Sequence, residues 1–205
     1  MTPAAFRAAT NVSRETMARL ETYAALLTRW RRTAALVSRA GMADLWRRHM
    51  LDSAQLLRLS PAGARIWVDL GSGAGFPGMV LAIMGAGEVH LVDSNARKCR
   101  FLQSVARATR TPAHVHHARI EALDPWPADV VTARALAPVA PLIDYAQPFF
   151  AEHTVGLFPK GQDVERELTA ARTYRSIAVQ RVPSVSSERG TILVVRGLSH
   201  LRSET

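Results

Sequence analysis

The segment VDLGSGAGFPG, starting at Val68, constrains this chain more than any other. It sets Gly71, Gly73 and Gly75 directly after a short, mostly apolar run, Ile66–Leu70, and ahead of a helical stretch from Met79. Glycine at such a junction lets the backbone turn sharply and come close to a ligand. A strand, a glycine turn and a helix in succession predict the opening of an α/β fold. The dinucleotide fingerprint G-x-G-x-x-G is not met, because Phe76 stands where a third glycine would allow close helix–strand contact. Asp69, just ahead of the loop, would suit an ammonium or sulfonium group better than a pyrophosphate.

The rest of the chain extends that reading. Glu88–Val92 reads as a second strand with Asp93 at its end, and Asn95–Thr109 as a helix. Ala113–His117 and Asp129–Thr132 read as strands, Pro138–Phe150 as a helix, Thr154–Phe158 as a fifth strand and Val164–Tyr174 as a helix. Ile177–Val182 and Thr191–Arg196 read as a closing hairpin pair. The alternation predicts a twisted, mostly parallel sheet covered on both faces. Upstream the period changes. Met17, Leu20, Tyr23, Leu27, Trp30, Ala34 and Val37 form a helical stripe, with Ser13 as its N-cap and Gly41 as its stop. A second helix is expected over Leu45–Leu59, ended by Ser60-Pro61.

Charge divides along the same line. The chain carries 26 basic and 17 acidic residues, a net +9. Residues 1–65 hold eleven arginines against four acids, a balance of +7, and residues 66–205 hold fifteen basic against thirteen acidic, a balance of +2. The helical start therefore carries most of the surplus, which points to a polyanionic partner. A single cysteine, Cys99, rules out an internal disulfide and reads as a packed thiol. No apolar run reaches membrane-spanning length, and the N-terminus has no basic-then-apolar leader, so a cytoplasmic address without membrane contact is expected. His114, His116 and His117 lie close together without a cysteine to complete a metal set, so no metal is expected. Trp126, between Pro125 and Pro127, reads as a loop aromatic available for stacking on a base.

The glycine loop with Asp69 before it and Asp93 at the second strand's end resembles the motif of class I S-adenosylmethionine-dependent methyltransferases. Longer runs narrow the resemblance. YAALLTRWR from Tyr23, RHMLDSA from Arg48, GSGAGFPGM from Gly71, LVDSNARK from Leu91, ARIE from Ala118, VTARAL from Val131, Pro159-Lys160-Gly161 and ERGTILVV from Glu188 stand in the order found in the RsmG (GidB) family. Members of that family are bacterial small-subunit ribosomal RNA guanine-N7 methyltransferases. Arg31 and Ala35-Leu36-Val37 stand where the family usually has asparagine and Asn-Leu-Thr.

The resemblance implies a Rossmann-like class I fold with a seven-stranded sheet, preceded by a helical extension over residues 1–62, the methyltransferase domain being 63–205. It implies methyl transfer from S-adenosylmethionine, leaving S-adenosylhomocysteine, to guanine N7 of 16S rRNA near the decoding site. The partner would be a small-subunit particle, with no DNA, and the protein a monomer. Carried over, the cofactor site comprises Asp69, Gly71, Gly73, Gly75, Phe76, Asp93, Ile120, Glu121 and Arg134. Arg134 and Lys160 would position the reacting groups, and Arg31, Arg32, His49, Arg119, Lys160 and Arg189 would meet RNA. His49, Asp52 and Ser53 match the helical signature, and the first two could bond each other, a cap or RNA. The alternatives are a methyltransferase for another RNA base or a small molecule, a non-catalytic RNA-binding or assembly factor that keeps the fold, and a nicotinamide enzyme, which Phe76 disfavours.

Overall fold

A computed structural model of the chain describes residues 1–30, 36–174 and 178–198. It opens with α1 (Pro3–Thr10), a helix too short to show a period in the sequence, capped by Thr2 Oγ1, which accepts the Ala5 N–H at 3.2 Å. The long helix α2 (Arg14–Trp30) follows, and Ser13 Oγ caps it by accepting the Thr16 N–H at 3.0 Å. Its buried side chains are Met17, Leu20, Tyr23 and Leu27, four of the seven residues in the expected stripe. Arg31, Arg32 and Ala34 lie outside the described residues.

Gly41 does not stop a helix. It sits inside the short α3 (Arg39–Ala43), where its N–H is taken by the Ser38 cap at 3.1 Å and a Cβ would meet Val37 at 2.7 Å. The glycine answers a close approach, which the sequence cannot distinguish from termination. The helix expected over Leu45–Leu59 is present but irregular. It begins as a π-helical turn (Trp46–Leu51), passes through α4 (Asp52–Ala54) and tightens to a 3-10 turn (Gln55–Arg58). Such widened turns concentrate at functional sites.

The sheet elements then run β1 (Ile66–Leu70), α5 (Gly78–Ile83), β2 (Glu88–Asp93), α6 (Ala96–Thr109), β3 (Ala113–His117), β4 (Ala128–Ala133), α7 (Val139–Ala146), β5 (Phe150–Lys160), α8 (Val164–Tyr174), β6 (Val179–Pro183) and β7 (Thr191–Val195). Seven strands form one sheet in the order β3-β2-β1-β4-β5-β7-β6. The first five pair in parallel, and β7 runs antiparallel to both β5 and β6. Strand β5 starts four residues earlier than its apolar run suggests. A register shift against β4 between Ala128 and Val130, with Thr154 Oγ1 accepting the Ala151 N–H at 2.8 Å, recruits the polar start.

Two apolar clusters flank the sheet. One joins Val68, Leu70 and Val131 to α7 and α8. The other joins Phe6, Leu20, Tyr23, Leu27, Met50 and Leu56 of the extension to Trp67, Met79, Leu81, Phe101 and Leu102. The boundary expected between residues 62 and 63 falls in an exposed turn, yet the core runs across it. Burial of each large apolar side chain contributes about 1.5–3 kcal/mol, so the extension and the sheet stabilise one another.

At the β2–β3 edge the imidazoles of His90 and His116 pack together, while His114 and His117 are exposed. His90 Nδ1 lies 2.9 Å from His116 Nε2 and His90 Nε2 lies 3.1 Å from Glu88 Oε1. The rings of His90, His114 and His116 stack face to face and do not converge on a point, and no group among the described residues is arranged to hold a metal. Trp126 covers them, its ring centroid 4.8 Å from His90 and 5.4 Å from Phe149, so it is packed rather than offered to a base. Among the described residues no helix is long and apolar enough to cross a membrane.

Candidate active site

The loop after β1 carries three consecutive departures into positive φ: Gly71 at 65°, Gly73 at 59° and Gly75 at 97°. L side chains are strained there, which explains the residue type. Each glycine also does something different. A Cβ on Gly73 would have only the Gly71 carbonyl oxygen near it, at 3.7 Å, so this turn presents bare backbone outward. Gly75 is pressed inward, beneath Met79, Leu102 and the Tyr23 hydroxyl. That hydroxyl donates to the Ala74 carbonyl oxygen, and the Tyr23 ring stacks on Phe76 with centroids 5.4 Å apart. The extension thus grips the loop directly.

Asp93, at the C-terminal end of β2, faces that turn. Its Oδ2 accepts the Gly73 N–H at 2.9 Å and its Oδ1 the Asn95 N–H at 2.8 Å, with Lys98 Nζ at 3.8 Å. Beside it opens a cavity of about 470 Å³, lined by Gly71, Lys98, Arg119, Ile120, Glu121 and Tyr145 among others. A carboxylate that can accept two hydroxyl hydrogen bonds, apolar walls and exposed loop backbone fit a nucleoside-type ligand. Lys98 and Tyr145 were not among the residues expected to line it. Lys98 ends the run LVDSNARK, whose place beside Asp93 could have marked it, whereas Tyr145 belongs to no motif and only the fold places it there.

Asp69 was expected to face the ligand's cationic group. Instead it lies behind the loop, 1% exposed, its Oδ1 accepting the Thr132 hydroxyl at 2.9 Å and its Oδ2 the Gly78 N–H at 3.2 Å. Burial pushes its pKa up to about 6 against those stabilising bonds. Phe76 is likewise 4% exposed and lines neither cavity. It forms the centre of a stack: Tyr23 on it, His49 against it at 4.8 Å, and the Arg134 guanidinium carbon 5.3 Å from its ring centroid.

Arg134, just beyond β4, gathers the helical signature. Its Nη1 donates to the Arg48 carbonyl oxygen at 2.9 Å and approaches Asp52 Oδ2 at 3.3 Å, while Nη2 donates to His49 Nδ1 at 2.6 Å. His49 and Asp52 therefore meet on Arg134 rather than on each other. Arginine only donates, so Nδ1 must be the acceptor and the neutral ring carries its proton on Nε2. Among the described residues that buried nitrogen has no partner, so His49, expected on the RNA side, is turned inward. Burial, with Arg134 next, pushes the His49 pKa down to about 4. Asp52 Oδ1 accepts the Ser186 hydroxyl at 2.6 Å, and Gln55 Nε2 reaches Asp52 Oδ1 and Ser184 Oγ, each at 3.0 Å. The turn between β6 and β7 is thereby tied to the helical extension, a contact across more than 130 residues that no local signal announces.

Those ties form the walls of a larger groove, about 1020 Å³, lined by Arg47, Arg48, Asp52, Arg134, Lys160 and Arg189 among others. Lys160 Nζ donates to the Ala137 carbonyl oxygen and to Glu167 Oε2, both at 2.7 Å, and Arg189 is exposed on the rim. Arg119 stands apart from this groove, at the smaller cavity. The groove and the smaller cavity share one wall, Ala135, Leu136 and Ala137. Ala135 holds φ at 53°, a backbone strain that sits where the two spaces meet.

A pH effect on stability follows. His49, His90 and His116 all have pKa values lowered in the folded protein, burial being the largest cause for each. The unfolded chain takes up these protons near pH 6.5 and the folded one only at lower pH, so stability present above 6.5 is lost on acidification. Asp69, raised, acts in the opposite sense and restores part of it between about 6 and 4. The thermal unfolding midpoint should fall from pH 7.5 to 6, and by less in His49→Asn, whose Oδ1 can still accept from Arg134. A flat wild-type profile over that range would contradict the assignment.

A family model described as rRNA small subunit methyltransferase G (GidB) matches residues 16–195. The Ribosomal RNA small subunit methyltransferase G of Rhodospirillum rubrum is 52% identical, covering 94% of this chain and 96% of its own. That of Paramagnetospirillum magneticum is 53% identical, covering 94% of each. In fold, the chain is similar to a putative S-adenosyl-L-methionine-dependent methyltransferase from Methanococcus maripaludis (TM-score 0.59, 12% identity, 72% of this chain and 84% of that one). It is similar also to a ribosomal protein L11 methylase from Lactobacillus delbrueckii subsp. bulgaricus (TM-score 0.58, 16% identity, 71% and 75%).

Proposed function

Because this chain belongs to the GidB family of rRNA small subunit methyltransferase G proteins, we propose that it transfers a methyl group from S-adenosylmethionine to N7 of a guanine in 16S rRNA, in the loop near the decoding site. The observation that supports this best is the shared wall. A nucleoside-sized cavity and a groove with basic side chains meet along Ala135–Ala137, with Arg134 at the junction. That is the layout needed to bring a base edge to a bound cofactor's methyl group.

When bound, S-adenosylmethionine supplies an activated methyl group on a sulfonium. Guanine N7 has a free lone pair and needs no proton removed, so the chain need not furnish a general base. His49 and Asp52 accordingly have other work: both are committed to Arg134. The protein's task is alignment and exclusion of water. In this reading Asp93 takes the ribose hydroxyls, the loop backbone at Gly71 and Gly73 lies along the cofactor, and Ile120 and Glu121 meet the adenine. Gly75, Phe76 and Asp69 hold that loop in shape from behind. Arg134 and Lys160 position the base by O6 or phosphate contact, since a cation close to N7 would oppose the positive charge that develops there. Arg189 and Arg48 meet phosphate, and Arg119 reaches RNA from the cofactor side. The substrate is a small-subunit particle in the cytoplasm, and the protein acts as a monomer.

The test is incubation with labelled cofactor and small subunits lacking the modification, followed by chemical mapping of the label. It should appear at one guanine N7. Label on an exocyclic amine or a ribose, or no thermal shift with S-adenosylmethionine, would refute the proposal.

A further inference from the structure

The near-balance of charge in residues 66–205 conceals a strongly basic region. From Ser94 to Ile120 there is no acidic residue, while Arg97, Lys98, Arg100, Arg107, Arg110 and Arg119 fall within it. Most of that stretch is α6, and the helix sorts its residues. Cys99, Phe101, Leu102, Val105 and Thr109 are buried, whereas Arg97, Arg100, Gln103 and Arg107 are exposed on the opposite side. At 100° per residue, Arg97, Arg100 and Arg107 fall within an arc of about 80°. Arg110, exposed and in the left-handed conformation, prolongs the line past the helix end. No ion pair or side-chain hydrogen bond engages these four arginines among the described residues. Two other exposed arginines are engaged instead: Arg181 pairs with Glu165 at 2.7 Å, and Arg58 donates to the Ala9 carbonyl oxygen at 3.1 Å.

The stripe starts at the cofactor cavity, where neighbouring Lys98 is part of the lining, and leads away from it along the outside of the domain. With a rise of 1.5 Å per residue, Arg97 and Arg107 are separated by about 15 Å along the axis. Guanidinium groups facing water over that length, with no partner among the described residues, suit a run of phosphates. They do not suit a base edge, which needs a groove or a pocket.

We propose that the exposed face of α6 is a second RNA-docking surface, which holds the phosphate backbone of the substrate RNA at a distance from the target guanine. This rests on the function proposed above and adds to it a contact outside the groove. Binding there fixes the register of the particle on the enzyme and carries no sequence information of its own.

The variant that tests it is Arg97→Gln/Arg100→Gln/Arg107→Gln, which spares every residue placed in the cavity or the groove. Affinity for deproteinised 16S rRNA and for unmodified small subunits is measured across a series of potassium chloride concentrations. The slope of log affinity against log salt should become shallower by about 2 to 3, as three lost phosphate contacts require. S-adenosylmethionine affinity, read by calorimetry, should stay at the wild-type value and report an intact fold. An unchanged slope beside normal wild-type methyl transfer overturns the stripe alone. Absence of wild-type methyl transfer to rRNA overturns the function on which it rests. Loss of affinity for the particle but not for the deproteinised rRNA would mean that α6 faces an acidic ribosomal protein, which also overturns the proposal.

Discussion

Gly75→Ala is expected to remove cofactor binding and to lower the unfolding midpoint sharply. At φ 97° the added Cβ is strained whatever space surrounds it, and it would stand 2.7 Å from Met79 Cβ, 2.8 Å from the Tyr23 hydroxyl and 2.9 Å from Leu102 Cδ2. Met79 and Leu102 are fully buried, so little can give. Backbone strain of about 1–3 kcal/mol and overpacking of about 1–3 kcal/mol act together. The loop cannot yield without breaking the bond from Tyr23 to Ala74 or lifting Phe76 out of its stack. Calorimetry with S-adenosylmethionine should show no heat, and thermal unfolding should move down by several degrees. Gly63→Ala is a control: its φ is also positive, at 78°, but no atom lies within 4 Å of its Cβ, and its cofactor affinity should match the wild type. A Gly75→Ala protein that binds cofactor normally would show that the loop is not held from behind as described.

The second large effect is expected at Arg134. Arg134→Ala removes the donor to His49 and to the Arg48 carbonyl oxygen and the cation paired with Asp52, and it uncovers the face of Phe76. The Asp52 side chain, 14% exposed, is left beside hydroxyls and an amide with no cation. Hydrogen bonds to a charged group are each worth about 1.5–3 kcal/mol, so both the groove wall and the Phe76 stack loosen. Since the reaction depends on alignment, displacement of the base by an ångström slows transfer by roughly a hundredfold. Cofactor affinity should fall far less than in Gly75→Ala, because Arg134 does not line the smaller cavity and the Tyr23 side of the Phe76 stack stays in place. Arg134→Lys should not rescue the rate: an ammonium cannot reach His49, Arg48 and Asp52 from one planar fork. Single-turnover methylation with saturating cofactor measures this directly, and a normal rate in Arg134→Ala would remove Arg134 from the positioning role.

The order of strands and helices was legible because apolar runs and glycine turns are local signals. Ser13 and Asp93 could be placed from local signals at a helix start and a strand end, and Ile120 and Glu121 from the resemblance of the run ARIE. Other features depend on distance in the sequence. That Asp52 would meet Ser186, or Tyr23 the glycine loop, follows only from the packing of two remote segments. Asp69 reads as a ligand for a cation because its motif abuts the loop, but the side-chain alternation of a strand buried on both faces turns it behind the turn, toward Thr132. His49 shows the same limit: its signature marks importance, while its neighbours decide that it serves as an acceptor for Arg134. Charge totals misled in a third way. A sum over 140 residues near zero hid an acid-free helix.

The continuity of the core between extension and sheet has a consequence for how such an enzyme can change. Phe6, Leu20 and Leu56 on one side and Trp67, Met79 and Phe101 on the other share a single interior. The part that carries most of the positive charge is therefore not a detachable module that could be exchanged for another to redirect the catalyst. New substrate preference has to arise by substitution on surfaces such as the groove rim, one side chain at a time, while the interior that links the two parts stays fixed.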